Sequence, residues 1–106
     1  MVPKKPADLE IVRQALEGDI PAQREIAEMG LGLVAMLIEK NRKYGNAALD
    51  PIRVFSRLSP LETIHVRMDD KLSRIRNGAA DEDEDPILDL AGYCILELIA
   101  RRRAAN

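Results

Sequence analysis

A carboxylate stands inside one of the most apolar stretches of this 106-residue chain. Asp89 lies within the segment ILDLAGYCILELIA, and an ionised carboxylate is not buried without a cation, a metal or a raised pKa. Asp85 stands four residues earlier, which is one turn of a helix. Two carboxylates so placed can share a divalent cation, and this is the hypothesis we favour. The alternative is a structural ion pair, whose candidate partners are Lys40, Lys71 and Arg74.

Further acidic residues lie in the preceding segment, HVRMDDKLSR. Relative to the apolar stripe of that segment, Asp69 and Lys71 lie on the two borders, and Asp70 points nearly opposite. Border positions can face a cleft between helices. Because hard cations take oxygen ligands from several carboxylates, with phosphates completing the shell, Asp69 and Asp70 join Asp85 and Asp89 as candidate metal ligands. The alternative is a charged, solvated helix surface.

The segment EKNRKYGN suggests a polar pocket, because an apolar stripe runs into it at helical spacing. Tyr44 could stack on a base, and Lys40 could meet phosphate. Asn41 or Asn46 could hydrogen-bond a base edge or a sugar. The alternative is that Tyr44 closes the core and Asn46 simply follows a helix-ending glycine. Phe55 is either an opposing aromatic wall or a packing residue.

Two other reactive residue types have structural interpretations. His65 lies close to an apolar stripe, so we expect a structural histidine with a partner rather than a catalytic base. Cys94 lies in the apolar segment, where cysteine behaves as a small hydrophobe.

Helical spacing recurs along the chain, and no segment shows the alternation of a strand. The pattern predicts an all-α protein with four helices. Their expected ranges are 8–17, 21–44, 60–76 and 83–103. Residues 45–46 end the second helix, and 46–58 form a loop with one short helical turn. The third helix begins at a capping box, with Ser59 as the cap and Glu62 three residues later.

The predicted helices differ in how much of their surface is apolar. The expected buried stripe of the third helix consists of Leu61, Ile64, Met68, Leu72 and Ile75. The fourth helix is apolar almost all round, so we expect protein to cover most of its sides, and therefore a homodimer. Residues 1–20 are predicted to be an N-terminal helical appendage, and 21–104 the helical core.

Composition narrows the functional classes. The formal net charge is −2, from 16 basic and 18 acidic residues, which argues against a general nucleic-acid binder. The longest apolar run, 31–38, is too short to span a bilayer, and no signal peptide is evident. A single cysteine cannot form an internal disulfide. We therefore expect a cytoplasmic protein without a membrane partner.

Three motifs, in this order and spacing, resemble the nucleotide modification associated domain, a family found largely in phages and prophages. They are EKNxxYGN from Glu39, RxDDKLxRI from Arg67 and DxxxDLxGY from Asp85. The resemblance covers roughly residues 33–100. That family is similar to the MazG-like all-α nucleotide pyrophosphohydrolases, so a dimeric MazG-like four-helix bundle is implied.

The resemblance also implies Mg²⁺, or Mn²⁺ in its place, held by acidic residues of two successive helices. Asp70 or Asp85 would hold or deprotonate the attacking water, and Lys71 and Arg74 would meet the phosphates. Asp89 matches the last acid of the family pattern. The rest of the acid set is thinner, because Pro86 stands where a glutamate is expected and Ser73 or Leu72 replaces a second one.

The resemblance therefore implies that the chain is a metal-dependent nucleoside triphosphate pyrophosphohydrolase or a closely related nucleotide-handling protein. Its substrate would be an NTP or a dNTP, and its setting phage nucleotide metabolism or DNA modification in the host cytoplasm. The thinner acid set favours an alternative, a non-catalytic nucleotide-binding module that regulates or scaffolds a partner. A helical dimerisation protein is a third hypothesis.

Overall fold

A computed structural model describes residues 6–78 and 85–106 of the chain. The helices are α1 (Pro6–Glu17), α2 (Pro21–Tyr44), α3 (Pro60–Asn77) and α4 (Pro86–Ala105). No strand occurs within these two ranges, so the all-α prediction is confirmed. None of the helices in these ranges combines the length and the apolar character needed to cross a bilayer.

The chain forms two compact units, one within residues 1–36 and the other within 37–106. In the first unit, the turn between α1 and α2 is fixed by Arg24, whose Nη2 donates to the carbonyl of Gly18 at 2.9 Å. On α1, Arg13 binds Glu10 and Glu17, and the Arg13 hydrogen bond lowers the pKa of the Glu10 carboxyl. The predicted division into residues 1–20 and 21–104 stays a prediction.

In the second unit, α3 and α4 pack against each other in antiparallel orientation. Cross-helix pairs join residue 65 to 97 and residue 71 to 89, so α4 runs back along α3. Ile64 is fully buried in this contact face, and Gly92 and Ala100 are buried on α4. Small residues on one helix let the neighbouring helix approach closely. This pair of helices brings Lys71 of α3 next to Asp89 of α4.

Both helices of this pair have N-terminal caps. Ser59 Oγ accepts from Glu62 N at 3.1 Å, as the capping box predicts, and the Ser59 hydroxyl donates to Glu62 Oε1. At the other end of α3, Gly78 adopts φ 64°, and its N–H donates to the carbonyls of Arg74 and Ile75. A left-handed backbone of this kind suits glycine.

The fourth helix begins later than the sequence pattern suggested. We expected residues 83–103, whereas α4 spans Pro86–Ala105 with Asp85 as its cap. Pro86 fits the first helical position because its missing N–H is not needed there. The predicted residues 83 and 84 lie outside the described ranges.

The predicted buried stripe of α3 is wrong in its last turns. Leu72 and Ile75 are exposed, and Lys71 is buried at 8% exposure instead of lying on a border. The reason is helical geometry. Lys71 follows Ile64 by seven residues, which is about 20° short of two full turns, so the two residues share a helix face. Leu72 is rotated by roughly 80° from Ile64 around the helix axis.

Between α2 and α3 the chain makes the expected single helical turn. The Asn46 carbonyl accepts from Leu49 N at 3.2 Å and from Asp50 N at 2.8 Å. Gly45, with φ 71°, ends α2 as predicted. Residues 51–58 then cross to α3 without regular structure.

The apolar outer surface of α4 is open in this chain. Ile87 is 66% exposed and Leu98 62%. Cys94 is also exposed. Within the single chain α4 packs on α3, and the predicted cover of its remaining surface by a second copy stays a prediction.

Candidate functional site

An open cleft of about 630 Å³ lies beside α3. The irregular segment 51–58 forms one part of its lining, α3 another, and α4 contributes one aromatic residue. The lining residues are Pro51, Ile52, Arg53, Ser56, Leu58, Thr63, Val66, Arg67, Asp70, Lys71, Arg74 and Tyr93. Its volume falls within the range of roughly 300–1,000 Å³ that small-molecule sites occupy.

Cations outnumber carboxylates in this lining. Among the described residues of the lining, Arg53, Arg67, Lys71 and Arg74 face one acid, Asp70. Arg74 Nε lies 3.3 Å from Asp70 Oδ2, and no carboxylate of the described residues pairs with Arg53 or Arg67. A concave surface with charges of one sign concentrates the opposite ion, so the cleft suits an anion.

Lys71 is held at this cleft by a nearly buried ion pair. Its Nζ lies 3.4 Å from Asp89 Oδ2, and the two side chains are only about a tenth exposed, at 10% and 11%. The half-exposed Lys40 places its Nζ 3.3 Å from the other oxygen, Asp89 Oδ1. A carboxylate taken out of water requires such partners. Of the three cations considered as structural partners for Asp89, two are therefore in place.

The four predicted metal ligands have separate surroundings. Asp69 is exposed, and Asp70 pairs with Arg74. Asp85 Oδ1 accepts from the amides of Ile87 and Leu88, at 3.0 and 3.2 Å. Asp89 contacts the two lysines. Within residues 6–78 and 85–106, no three acidic, histidine or cysteine side chains form a group that could hold a metal. Metal binding by these four acids stays a prediction.

The predicted nucleotide-binding residues divide into two sets. Lys71 and Arg74 lie in the cleft lining, and Lys40 is linked to it through Asp89. At the end of α2, Asn41 Nδ2 donates to Asn46 Oδ1 at 3.2 Å.

Tyr44, also at the end of α2, is 65% exposed. The Nζ of the adjacent Lys43 lies 5.2 Å from the centroid of the Tyr44 ring. Asn41, Tyr44 and Asn46 are not among the lining residues. Their binding roles stay predictions.

Three cleft residues were not recognised from the sequence. Arg67 precedes Lys71 and Arg74 by four and seven residues, so all three share one face of α3. That spacing is a readable signal of a cationic face. No such signal marks Arg53 or Tyr93, because Arg53 lies in an irregular segment and Tyr93 lies in an apolar helix.

The remaining candidates have other surroundings. His65 Nε2 lies 2.6 Å from Glu97 Oε1 on α4, so the expected structural partner is present. Glu97 also pairs with Arg101. Phe55 is 96% exposed, so it is not a packing residue of this chain.

Comparison of the chain with family models, with curated proteins and with solved structures finds no match in any of the three. The geometry of the cleft and the three sequence motifs are therefore the features that indicate a function.

Proposed function

We propose that this protein binds nucleoside triphosphates and holds the phosphate chain in the cleft beside α3. The observation that carries the proposal is the row of Arg67, Lys71 and Arg74 on one helix face, joined by Arg53 from the loop. Phosphate oxygens are strong hydrogen-bond acceptors, and a guanidinium can bind two of them at once. Such a row could bind successive phosphates of a triphosphate.

The fixed position of Lys71 supports this proposal. A lysine on a helix surface has a flexible stem and loses rotamer entropy when it binds a ligand. Lys71 is already buried, and Asp89 holds its ammonium. Less entropy is therefore lost when it contacts an anion, which favours binding.

The test is calorimetry with a panel of NTPs and dNTPs, alongside inorganic tripolyphosphate and the free nucleosides. We expect the phosphorylated ligands to bind and the nucleosides to bind far more weakly. Arg67→Met should weaken triphosphate binding by about tenfold or more, because a hydrogen bond to a charged group contributes roughly 1.5–3 kcal/mol. Arg76→Met, on the exposed part of the same helix, is the matched control. Equal binding by wild type and Arg67→Met would contradict the proposal.

The resemblance extends the proposal to hydrolysis of the triphosphate to a monophosphate and pyrophosphate, with Mg²⁺ or Mn²⁺. The position of Asp89 favours this second function, since it matches the acid with which members of the resembled family hold the metal. Two lysines contact Asp89, and Asp85 caps α4, which favours the non-catalytic module. Nucleotide binding is therefore better supported than hydrolysis. A pyrophosphate-release assay on the same panel, with and without each metal, separates the two.

The resemblance also supplies the setting of the proposal. We place the protein in nucleotide metabolism or DNA modification of a phage, in the cytoplasm of the host cell. A MazG-like dimeric bundle is part of the proposal, and the open apolar surface of α4 supports it.

A further inference from the structure

Tyr93 is the one aromatic residue among those that line the cleft. It lies on α4 four residues after Asp89, which is about 6 Å along the helix axis. Because residues four apart share a helix face, Tyr93 lies on the same side of α4 as the carboxylate that holds Lys71. The cross-helix pairs 65–97 and 71–89 place residue 93 of α4 level with about residues 67–69 of α3, beside the Arg67 end of the cationic row.

The cleft combines two kinds of surface. The cationic row and Arg53 form the charged part, whereas Ile52, Leu58, Val66 and Tyr93 supply apolar area. Tyr93 is only partly buried, and its hydroxyl makes no hydrogen bond to any residue within 6–78 or 85–106. Its hydroxyl is therefore not committed to a partner in those ranges, and part of its ring is accessible to a ligand.

A nucleotide has two matching parts, an anionic phosphate chain and a flat aromatic base whose faces can stack. Stacking on an aromatic side chain contributes to binding for every base, because every base has a π-face. Resting on the proposed function, we propose that the base stacks on Tyr93 while the cationic row binds the phosphates. Tyr44, which the sequence suggested for stacking, lies outside the lining and has Lys43 beside its ring.

The first test uses affinity. Tyr93→Leu should weaken nucleoside triphosphate binding by about tenfold and leave the binding of inorganic tripolyphosphate unchanged, because that ligand has no base. Tyr93→Phe keeps the ring and should bind the nucleotide within about twofold of wild type. Tyr44→Leu is the matched control and should bind both ligands as wild type does. Circular dichroism melting checks that each variant is folded.

The second test uses the two tyrosines, which are the natural fluorophores of this tryptophan-free chain. In Tyr44→Phe, Tyr93 is the only tyrosine, and nucleotide should quench its emission after correction for nucleotide absorbance. Tripolyphosphate should bind to the same variant with little quenching. In Tyr93→Phe, nucleotide should still bind but leave the emission of Tyr44 unchanged.

Different outcomes would overturn different parts of this account. If Tyr93→Leu weakens the binding of nucleotide and of tripolyphosphate equally, the stacking role of Tyr93 is wrong while phosphate binding stands. The same holds if only Tyr44→Leu loses affinity for the nucleotide. If wild type binds neither nucleotide nor tripolyphosphate, the proposed function fails and the stacking role fails with it.

Discussion

Asp89 shows how a carboxylate is accommodated in an apolar helix of this chain. Its two oxygens contact different lysines, Lys40 at 3.3 Å and Lys71 at 3.4 Å. Lys71 is itself buried, so each charge of that pair is largely removed from water. Breaking such a pair from one side is more destabilising than removing an exposed pair, because a buried charge loses its partner.

We predict that Asp89→Ala lowers the free energy of unfolding by about 2 kcal/mol, less than for a fully buried pair because Lys40 is half-exposed. Urea denaturation followed by circular dichroism measures the change. Asp70→Ala is the control, since its pair with Arg74 is exposed and within one helix; its cost should stay below roughly 0.5 kcal/mol. Equal effects of the two substitutions would mean that the Asp89 pair is not a buried one.

The sequence indicated that Asp89 needs a partner but not which one. Burial follows from the apolar residues around it, which are local in sequence. The partner depends on tertiary contacts, because Lys40 is 49 residues away and reaches Asp89 from another helix. For the same reason the sequence could not show that Asp70 pairs with Arg74, or that Asp85 accepts from the first amides of α4.

At the scale of single helices, the ends are set by local chemistry. Ser59 and Asp85 cap α3 and α4, and each is followed directly by a proline. Such signals are short-range, which explains why the second and third helices were predicted within one residue of their ends. The start of α4 was missed because the acidic run before Pro86 was taken as part of the helix.

Asp85 caps α4, so its substitution should change the stability of the protein. From the sequence, its hypothesised role was catalytic. Asp85→Ala should lower the free energy of unfolding by about 1 kcal/mol, because two helix amides lose their acceptor. Asp85→Asn should restore stability to within roughly 0.5 kcal/mol, since asparagine caps equally well. Chemical denaturation gives both values. If Asp85→Asn is as stable as wild type but loses metal-dependent pyrophosphate release, Asp85 has a catalytic role beyond the cap.

The segment 51–58 shows where prediction from periodicity ends. It has no helical or strand spacing, yet it supplies part of the cleft, including Arg53. Its Phe55 is almost fully exposed, whereas the sequence suggested a wall or a packing residue. An irregular segment takes its position from the elements at its ends, so its residues could not be assigned to a site from the sequence.

At the scale of the whole molecule, many large apolar side chains are exposed. On α2 they are Ile26, Met29, Leu31, Val34 and Ile38. On α4, Ile87 and Leu98 are open as well. Large apolar side chains exposed in this number on a small protein indicate an interface, and self-association of identical chains is the commonest way to cover them.

We therefore predict a solution mass of twice the 11.8 kDa of one chain, measured by light scattering after size exclusion. Leu98→Glu places a charge on the open face of α4 and should shift the mass to that of a single chain. Arg102→Glu, which alters charge on an exposed part of the same helix, should leave the mass unchanged. A single-chain mass for wild type at tens of micromolar would contradict the dimer.

The cleft beside α3 is the proposed phosphate site, and amide chemical-shift mapping tests this most directly. The measurement is a two-dimensional ¹H–¹⁵N spectrum of the wild-type protein titrated with inorganic tripolyphosphate in EDTA. We predict saturable shifts that cluster at Arg53, Arg67, Lys71 and Arg74, with smaller changes elsewhere. Shifts confined to residues 40–46 at the end of α2, or no shifts at all, would contradict the account.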